Sequence, residues 1–292
     1  ARKPGRLALV PWAFVIIWST GFIAAKFSVP YMEPFSLLLT RMLCALLVFT
    51  AILFWQKPSW CTPIQAAHQM VVGFLVHACF LGGVFVAISR SLPAGITSLI
   101  TGLQPLLTAV FALIWLHESL DRNKWIGLFL GLAGVIIVVS QDPKEGSITN
   151  DLTAWVAAIL AVIAISIGTL YQKRFGVGVN LIVGSFFQYL ATAIVMGVLA
   201  WNFDTGTINW NWTLVASLTW MVLALSVVAV LLLLMMIREG ESGKIASYFY
   251  LVPPLTALEA WVLFGEALSV TAWFGILVTM TGVYLTLRAT RD

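Results

Sequence analysis

The sequence predicts an all-α membrane protein: ten transmembrane helices in two inverted five-helix repeats. Three observations carry this prediction. The 292-residue chain is 61% hydrophobic and only 10% charged, where soluble domains are about 25% charged. Ten mostly apolar stretches approach the roughly 20 residues that a helix needs to cross a bilayer. Most of residues 91–135 is also written a second time, 148 positions later.

The stretches cover about 7–29, 34–55, 65–89, 94–116, 124–140, 152–173, 180–201, 212–237, 243–264 and 270–287. They are too long and too uniformly apolar for the alternating strands of a barrel, so each must satisfy its backbone amides as a helix. In the repeat, Gly95 falls on Gly243, Pro105 on Pro253, Leu107-Thr108-Ala109 on Leu255-Thr256-Ala257, and Glu118 on Glu266. Trp125 falls on Trp273, Gly127 on Gly275, and Gly134-Val135 on Gly282-Val283. Five spans is an odd number, so the second copy must enter the membrane from the opposite side. The halves are 1–145 and 146–292, together one transmembrane domain, and function is expected where they meet.

Orientation follows from Lys and Arg near the span ends. With the N-terminus inside, the inner segments hold twelve of them: Arg2, Lys3, Arg6, Lys57, Arg122, Lys124, Lys173, Arg174, Arg238, Lys244, Arg288 and Arg291. The outer loops hold Arg90 and Lys144. Both termini are therefore expected in the cytoplasm, with the 141–151 link outside. The net charge of +4 is spread over many inner loops, which gives no footprint for nucleic acid. The first span has a basic flank but is too long for a signal-peptide core, so a retained helix is expected.

Taken in order, the first span carries Trp18-Ser19-Thr20-Gly21-Phe22 and ends near Lys26. Ser19, Phe22 and Lys26 share one face, as do Ser166, Thr169 and Lys173 of the sixth span. Each stripe either lines a cavity or joins helices, while the two lysines suit the membrane boundary. In the second span Pro34 follows Glu33, a good helix start, and Arg41 sits two turns in, either bonding loop carbonyls or facing a vestibule. His77 lies at the middle of the third span, beside Phe80; an ionisable group at that depth is a functional candidate.

Thr97, Thr101, Gln104 and Thr108 make a polar stripe along the fourth span. The ninth does not copy it: Ile245, Phe249 and Val252 stand opposite the first three, and its polar groups are Ser247, Tyr248 and Tyr250. Pro105 and the Pro253-Pro254 pair remove backbone bonds in corresponding helices. Paired interruptions in inverted halves point to a transport site. Glu259, in the outer third of the ninth span, is the candidate to carry a coupling proton, with a helix-bonding role as the alternative. Most of the thirteen tryptophans sit at span ends as an interfacial belt; Trp18 does not, which marks it for stacking on a substrate. Cys44, Cys61 and Cys79 have no metal-ligand spacing.

These residues resemble the EamA type of the drug/metabolite transporter superfamily. The resemblance rests on Trp18-Ser19 followed by Phe22 and Lys26, Pro34 followed by Arg41, Ser91-Leu92-Pro93-Ala94-Gly95, Pro105, Glu118-Ser119-Leu120, Trp125-Ile126-Gly127, and Gly131 through Gly134-Val135. His117 and Ser119 depart from the glycine and arginine usual beside that glutamate. Within the family the chain is most similar to bacterial exporters of aromatic amino acids. The resemblance implies a multi-pass protein of the bacterial inner membrane that works by alternating access around a central cavity.

The expected function is thus secondary export of amino acids, aromatic ones foremost, or of related small metabolites, by a monomer without cofactor or metal. Stacking walls would come from Trp18, Phe22, Phe80, Tyr248 and Tyr250. Polar contacts would come from Ser19, His77, Thr101, Gln104, Ser166, Thr169 and Ser247. The alternatives are export of another metabolite or drug class, a passive channel, or an intramembrane enzyme. The last would need clustered catalytic groups, whereas His77 and Glu259 lie on different helices. No nucleotide-binding loop follows a strand, which argues against drive by ATP.

Overall fold

A computed structural model describes residues 9–115, 121–139, 151–239, 248–249, 251–264 and 270–288. Among them the regular structure is helical apart from one isolated antiparallel bridge, Met32 to Ile208. The helices are α1 (Val10–Ser28), α2 (Pro34–Gln56), α3 (Pro63–Ser89), α4 (Ala94–Thr101), α5 (Gln104–Trp115), α6 (Arg122–Val139), α7 (Leu152–Phe175) and α8 (Leu181–Phe203). Then follow α9, which runs from Trp212–Trp220 to Val230–Glu239, α10 (Val252–Phe264) and α11 (Val270–Arg288). Six of these, α1, α2, α3, α7, α8 and α9, are long and apolar enough to cross a membrane.

Helix starts follow local chemistry. Pro34 and Pro63 occupy first-turn positions, where a missing N–H costs nothing. Thr62 and Gln65 form a capping box before α3. Asp151 accepts from Thr153 N at 2.8 Å, Asn180 from Ile182 N at 2.9 Å and Asn211 from Leu214 N at 2.9 Å. Glu33 does not cap its own helix as the sequence suggested. Its carboxylate reaches across to accept from Thr205 N at 2.7 Å, Thr205 Oγ1 at 3.0 Å and Gly206 N at 3.2 Å. Asp204 returns the favour, accepting from Ser36 N at 2.6 Å in the first turn of α2.

The segments that position the centre are interrupted helices. Two π turns, Gly73–Cys79 inside α3 and Met221–Ala229 inside α9, start 148 positions apart. A π turn leaves carbonyls without regular partners, and α8 supplies them: Tyr189 donates to Ser226 O at 2.8 Å, and Thr192 Oγ1 lies 3.1 Å from Gly73 O. Between α4 and α5 the helix stops at Thr101 and restarts at Gln104, placing Pro105 in the first turn of α5. Pro253 and Pro254 likewise fall in the first turn of α10. The chain therefore breaks at these prolines and does not merely bend.

The buried core joins α1, α2, α3, α8 and α9 through residues such as Phe14, Phe49, Phe85 and Tyr189. To one side, α6 and α11 pack along each other. A Cβ on Gly134 would fall 2.5 Å from Gly275 O, and one on Gly282 would fall 2.5 Å from Gly127 O. Only glycine permits an approach this close. Lys26 closes the far end of α1, its Nζ 4.1 Å from the centre of the Phe264 ring.

Candidate functional site

Two adjoining central cavities share Trp18, Phe22 and Phe80. The first is a narrow gap bordered by those rings together with Ser98, Thr101, Gln104, Ile165, Phe249, Val252 and Pro253. The second is slightly wider and adds Arg41, His77, Leu81, Phe85, Leu225 and Val230. Trp18 is the hinge between them. Its ring lies nearly parallel to Phe80, with centroids 6.2 Å apart, and meets Phe249 edge-on at 5.9 Å. A face of this kind, apolar and already ordered, accepts a planar apolar body at low entropic cost.

The polar groups form two tiers. On the α3 and α8 side His77 Nε2 lies 3.2 Å from Gln188 Oε1, Gln188 Nε2 donates to Gln69 Oε1 at 2.7 Å, and the imidazole stacks on Tyr189 with ring centres 4.7 Å apart. On the α4–α5 side Gln104 Nε2 donates to Thr108 Oγ1 at 3.4 Å, while its buried Oε1 has no partner among the described residues. That oxygen is an acceptor in want of a donor beside the cavity. Among the described residues no group of three or more His, Cys, Asp or Glu converges as a metal site.

Of the residues selected from sequence, Trp18, Phe22, His77, Phe80, Thr101, Gln104 and Pro253 border these cavities. Ser19, Ser166, Thr169 and Tyr248 do not. Ser166 Oγ donates to Val162 O at 2.7 Å and Thr169 Oγ1 to Ser166 O at 3.0 Å, so both hydroxyls are used by their own helix. Tyr248 packs edge-on against Trp12, and Pro254 faces a lateral apolar groove with Trp12 and Trp273. Pro105 is buried in α5 away from both linings. Ser247, Tyr250, His117, Glu118 and Glu266 lie outside the described residues.

Ser19 instead meets Glu259. Its Oγ lies 2.6 Å from Glu259 Oε1 and 2.9 Å from Ile16 O, and Thr256 Oγ1 donates to Ser19 O at 3.3 Å. Glu259 Oε2 is buried without a partner among the described residues. A serine has one proton for two acceptors, so one contact of this cluster lacks a hydrogen while Glu259 is ionised.

Sequence reasoning left Phe249 and Val252 out of the lining, and it offered Arg41 as a vestibule contact only beside the alternative of bonding loop carbonyls. The first two stand opposite Thr101 and Gln104 in the repeat, so carrying a polar position over to its apolar mate would have found them.

The whole chain resembles known transporters. The model of the EamA-like transporter family matches residues 8–140 and, separately, 152–288. The uncharacterized transporter YvbV of Bacillus subtilis is 28% identical over 96% of this chain and 91% of its own length. A probable amino-acid metabolite efflux pump of Salmonella typhimurium is 24% identical over 98% of this chain and 95% of its own length. A crystal structure of a protein 18% identical to this chain shares the fold, with a TM-score of 0.79 over 99% of both chains.

Proposed function

The chain belongs to the EamA-like transporter family, and from that premise we propose that it is a secondary exporter of amino acids, aromatic ones such as phenylalanine, tyrosine and tryptophan foremost. One observation carries this reading: Trp18, Phe80 and Phe249 form an aromatic wall beside the unpartnered Gln104 Oε1. The rings suit an aromatic side chain, and the amide oxygen suits an ammonium. The name of the Salmonella relative points to the same substrate class.

Transport proceeds by alternating access between two inverted halves, 1–145 and 146–292. The double match of one family model supports that division, as do the π turns 148 positions apart and the reciprocal contacts of Gly134 and Gly282. The protein acts as a monomer in the bacterial inner membrane, with both termini in the cytoplasm. That orientation rests on the twelve-to-two distribution of basic residues. Glu259 is the coupling group, because it is the acidic side chain that α10 buries against α1 and Ser19 is its polar partner. Ser166 and Thr169 support α7 beside the cavity, Tyr248 packs against Trp12 ahead of α10, and Ser247 and Tyr250 keep the substrate-contact role expected from the sequence.

The test is efflux and counterflow of labelled phenylalanine, leucine and serine in proteoliposomes, with and without a pH gradient. Phenylalanine is expected to exchange fastest. Equal rates for serine would remove the aromatic assignment.

A further inference from the structure

Arg41 lies two turns inside α2 and is only 4% exposed. A guanidinium carries five N–H donors and stays charged. Its Nε donates to Ser226 Oγ at 2.8 Å. Among the described residues no carboxylate pairs with it. The backbone carbonyl of the same Ser226 receives the Tyr189 hydroxyl at 2.8 Å. The remaining donors make no hydrogen bond to the described residues. Arg41 borders the wider of the two cavities with His77, Trp18, Phe22 and Phe80. A buried cation without a counter-ion among the described residues is costly to keep. A ligand that brings the missing negative charge recovers that cost on binding.

We propose that Arg41 anchors a carboxylate of the transported molecule, while the rings of Trp18, Phe22 and Phe80 take its apolar body. This rests on the export reading above and sharpens its substrate class to monoanionic or zwitterionic carboxylates. The planar fork of a guanidinium matches the two oxygens of a carboxylate. Arg41 is the one Lys or Arg that borders this cavity among the described residues, and it balances one negative charge, which favours a carboxylate over a dianionic phosphate. The bond to Ser226 holds the guanidinium against the π turn of α9, so the anchor is fixed before ligand arrives.

Matched ligand pairs test this in the purified full chain, read by tryptophan fluorescence and by thermal stabilisation. The pairs are phenylalanine with phenylalaninamide, and phenylacetate with phenylacetamide; phenyl phosphate is the dianionic arm. The carboxylate of each binding pair is expected to bind about tenfold or more tightly than its amide, the worth of one charge-assisted bond. In Arg41→Met that ratio falls to about one, and Arg41→Lys restores part of it. A role confined to bonding Ser226 would leave the ratio unchanged. Equal binding of carboxylate and amide to the unaltered protein overturns the proposal, as does preference for phenyl phosphate or an undiminished ratio in Arg41→Met. Should Arg41→Met fail to fold, the ligand pairs on the unaltered protein and on Arg41→Lys still decide. Phenylacetate binding with the expected ratio while no amino acid binds would uphold the anchor and end the amino-acid reading. Amino-acid transport indifferent to the carboxylate would do the reverse.

Discussion

Thr101 and Phe249 stand 148 positions apart, the first ending α4 and the second just ahead of α10, and they border the same cavity. Places that correspond at the 148-residue offset in the sequence thus carry opposite chemistry, a hydroxyl in one and a ring in the other. Gln104 and Val252 repeat that contrast one turn further on. Two broken helices meet at the centre, and what differs between them furnishes the lining.

Removing the ring at 249 is expected to weaken substrate handling selectively. Phe249→Ala deletes the edge contact to Trp18 at 5.9 Å, worth about 1 kcal/mol beyond its area. Phenylalanine export should fall about fivefold or more at unchanged expression. Trp273→Ala, which alters the lateral groove, should leave the rate near that of the unaltered protein. Equal losses in both variants would mean that the central ring has no special role.

Gly134 is expected to tolerate no side chain. Its Cβ position lies 2.5 Å from the Gly275 carbonyl oxygen, so Gly134→Val must push α6 from α11, at a cost of about 2 kcal/mol or more. Gly95 has nothing within 4 Å of the same position, and Gly95→Ala should be nearly neutral. Thermal unfolding in detergent measures both; a Gly134→Val protein as stable as Gly95→Ala would show that the approach is not tight.

The loops at one end should separate when Glu33 is lost. Glu33→Ala removes the acceptor for Thr205 N, Thr205 Oγ1 and Gly206 N, at a cost of about 1 kcal/mol in this exposed setting. Hydrogen exchange at residues 205 and 206 should speed up, while exchange within α3 stays as it was. Unchanged protection at these amides would place their support elsewhere.

Asp151 gives a pH-dependent cap. The Thr153 backbone N–H holds its carboxyl below the usual carboxylate range, and Arg90 at 3.1 Å adds to this. A depressed pKa means the charged form is the one stabilised, so the cap is complete at neutral pH and is lost on acidification below that range. Protection of the Thr153 amide should decline there and be absent at neutral pH in Asp151→Ala. The contribution is small, because the pair is exposed.

The apolar spans and helix breaks were legible because their causes are local. Twenty apolar residues have few other uses, and Pro105 and Pro253 cannot donate wherever they are placed. The π turns at Gly73–Cys79 and Met221–Ala229 leave no such mark. Their sequences read as ordinary apolar helix, and what holds them is Tyr189 and Thr192 from a helix far along the chain. The same limit explains the serines. Spacing puts Ser166 and Thr169 on one face, but it does not show that each hydroxyl spends its proton on its own helix. Glu33 was read as a helix-start residue because Pro34 follows it, whereas its partners lie about 170 residues away.

Glu259 separates coupling from structure. Glu259→Gln keeps an oxygen and a donor near Ser19 Oγ but cannot ionise. Export driven by a pH gradient should be lost in this variant, while counterflow without a gradient persists. Gradient-driven export at the unaltered rate would relieve Glu259 of any coupling role.

Counterflow tests most directly whether a carrier site lies between the two halves. Liposomes holding the protein are preloaded with unlabelled phenylalanine, and entry of labelled phenylalanine is followed without a gradient. Preloading should accelerate entry, and the acceleration should disappear in Gln104→Ala and in His77→Ala at equal incorporation. Entry indifferent to preloading, or full acceleration in both variants, would contradict a central site at the broken helices.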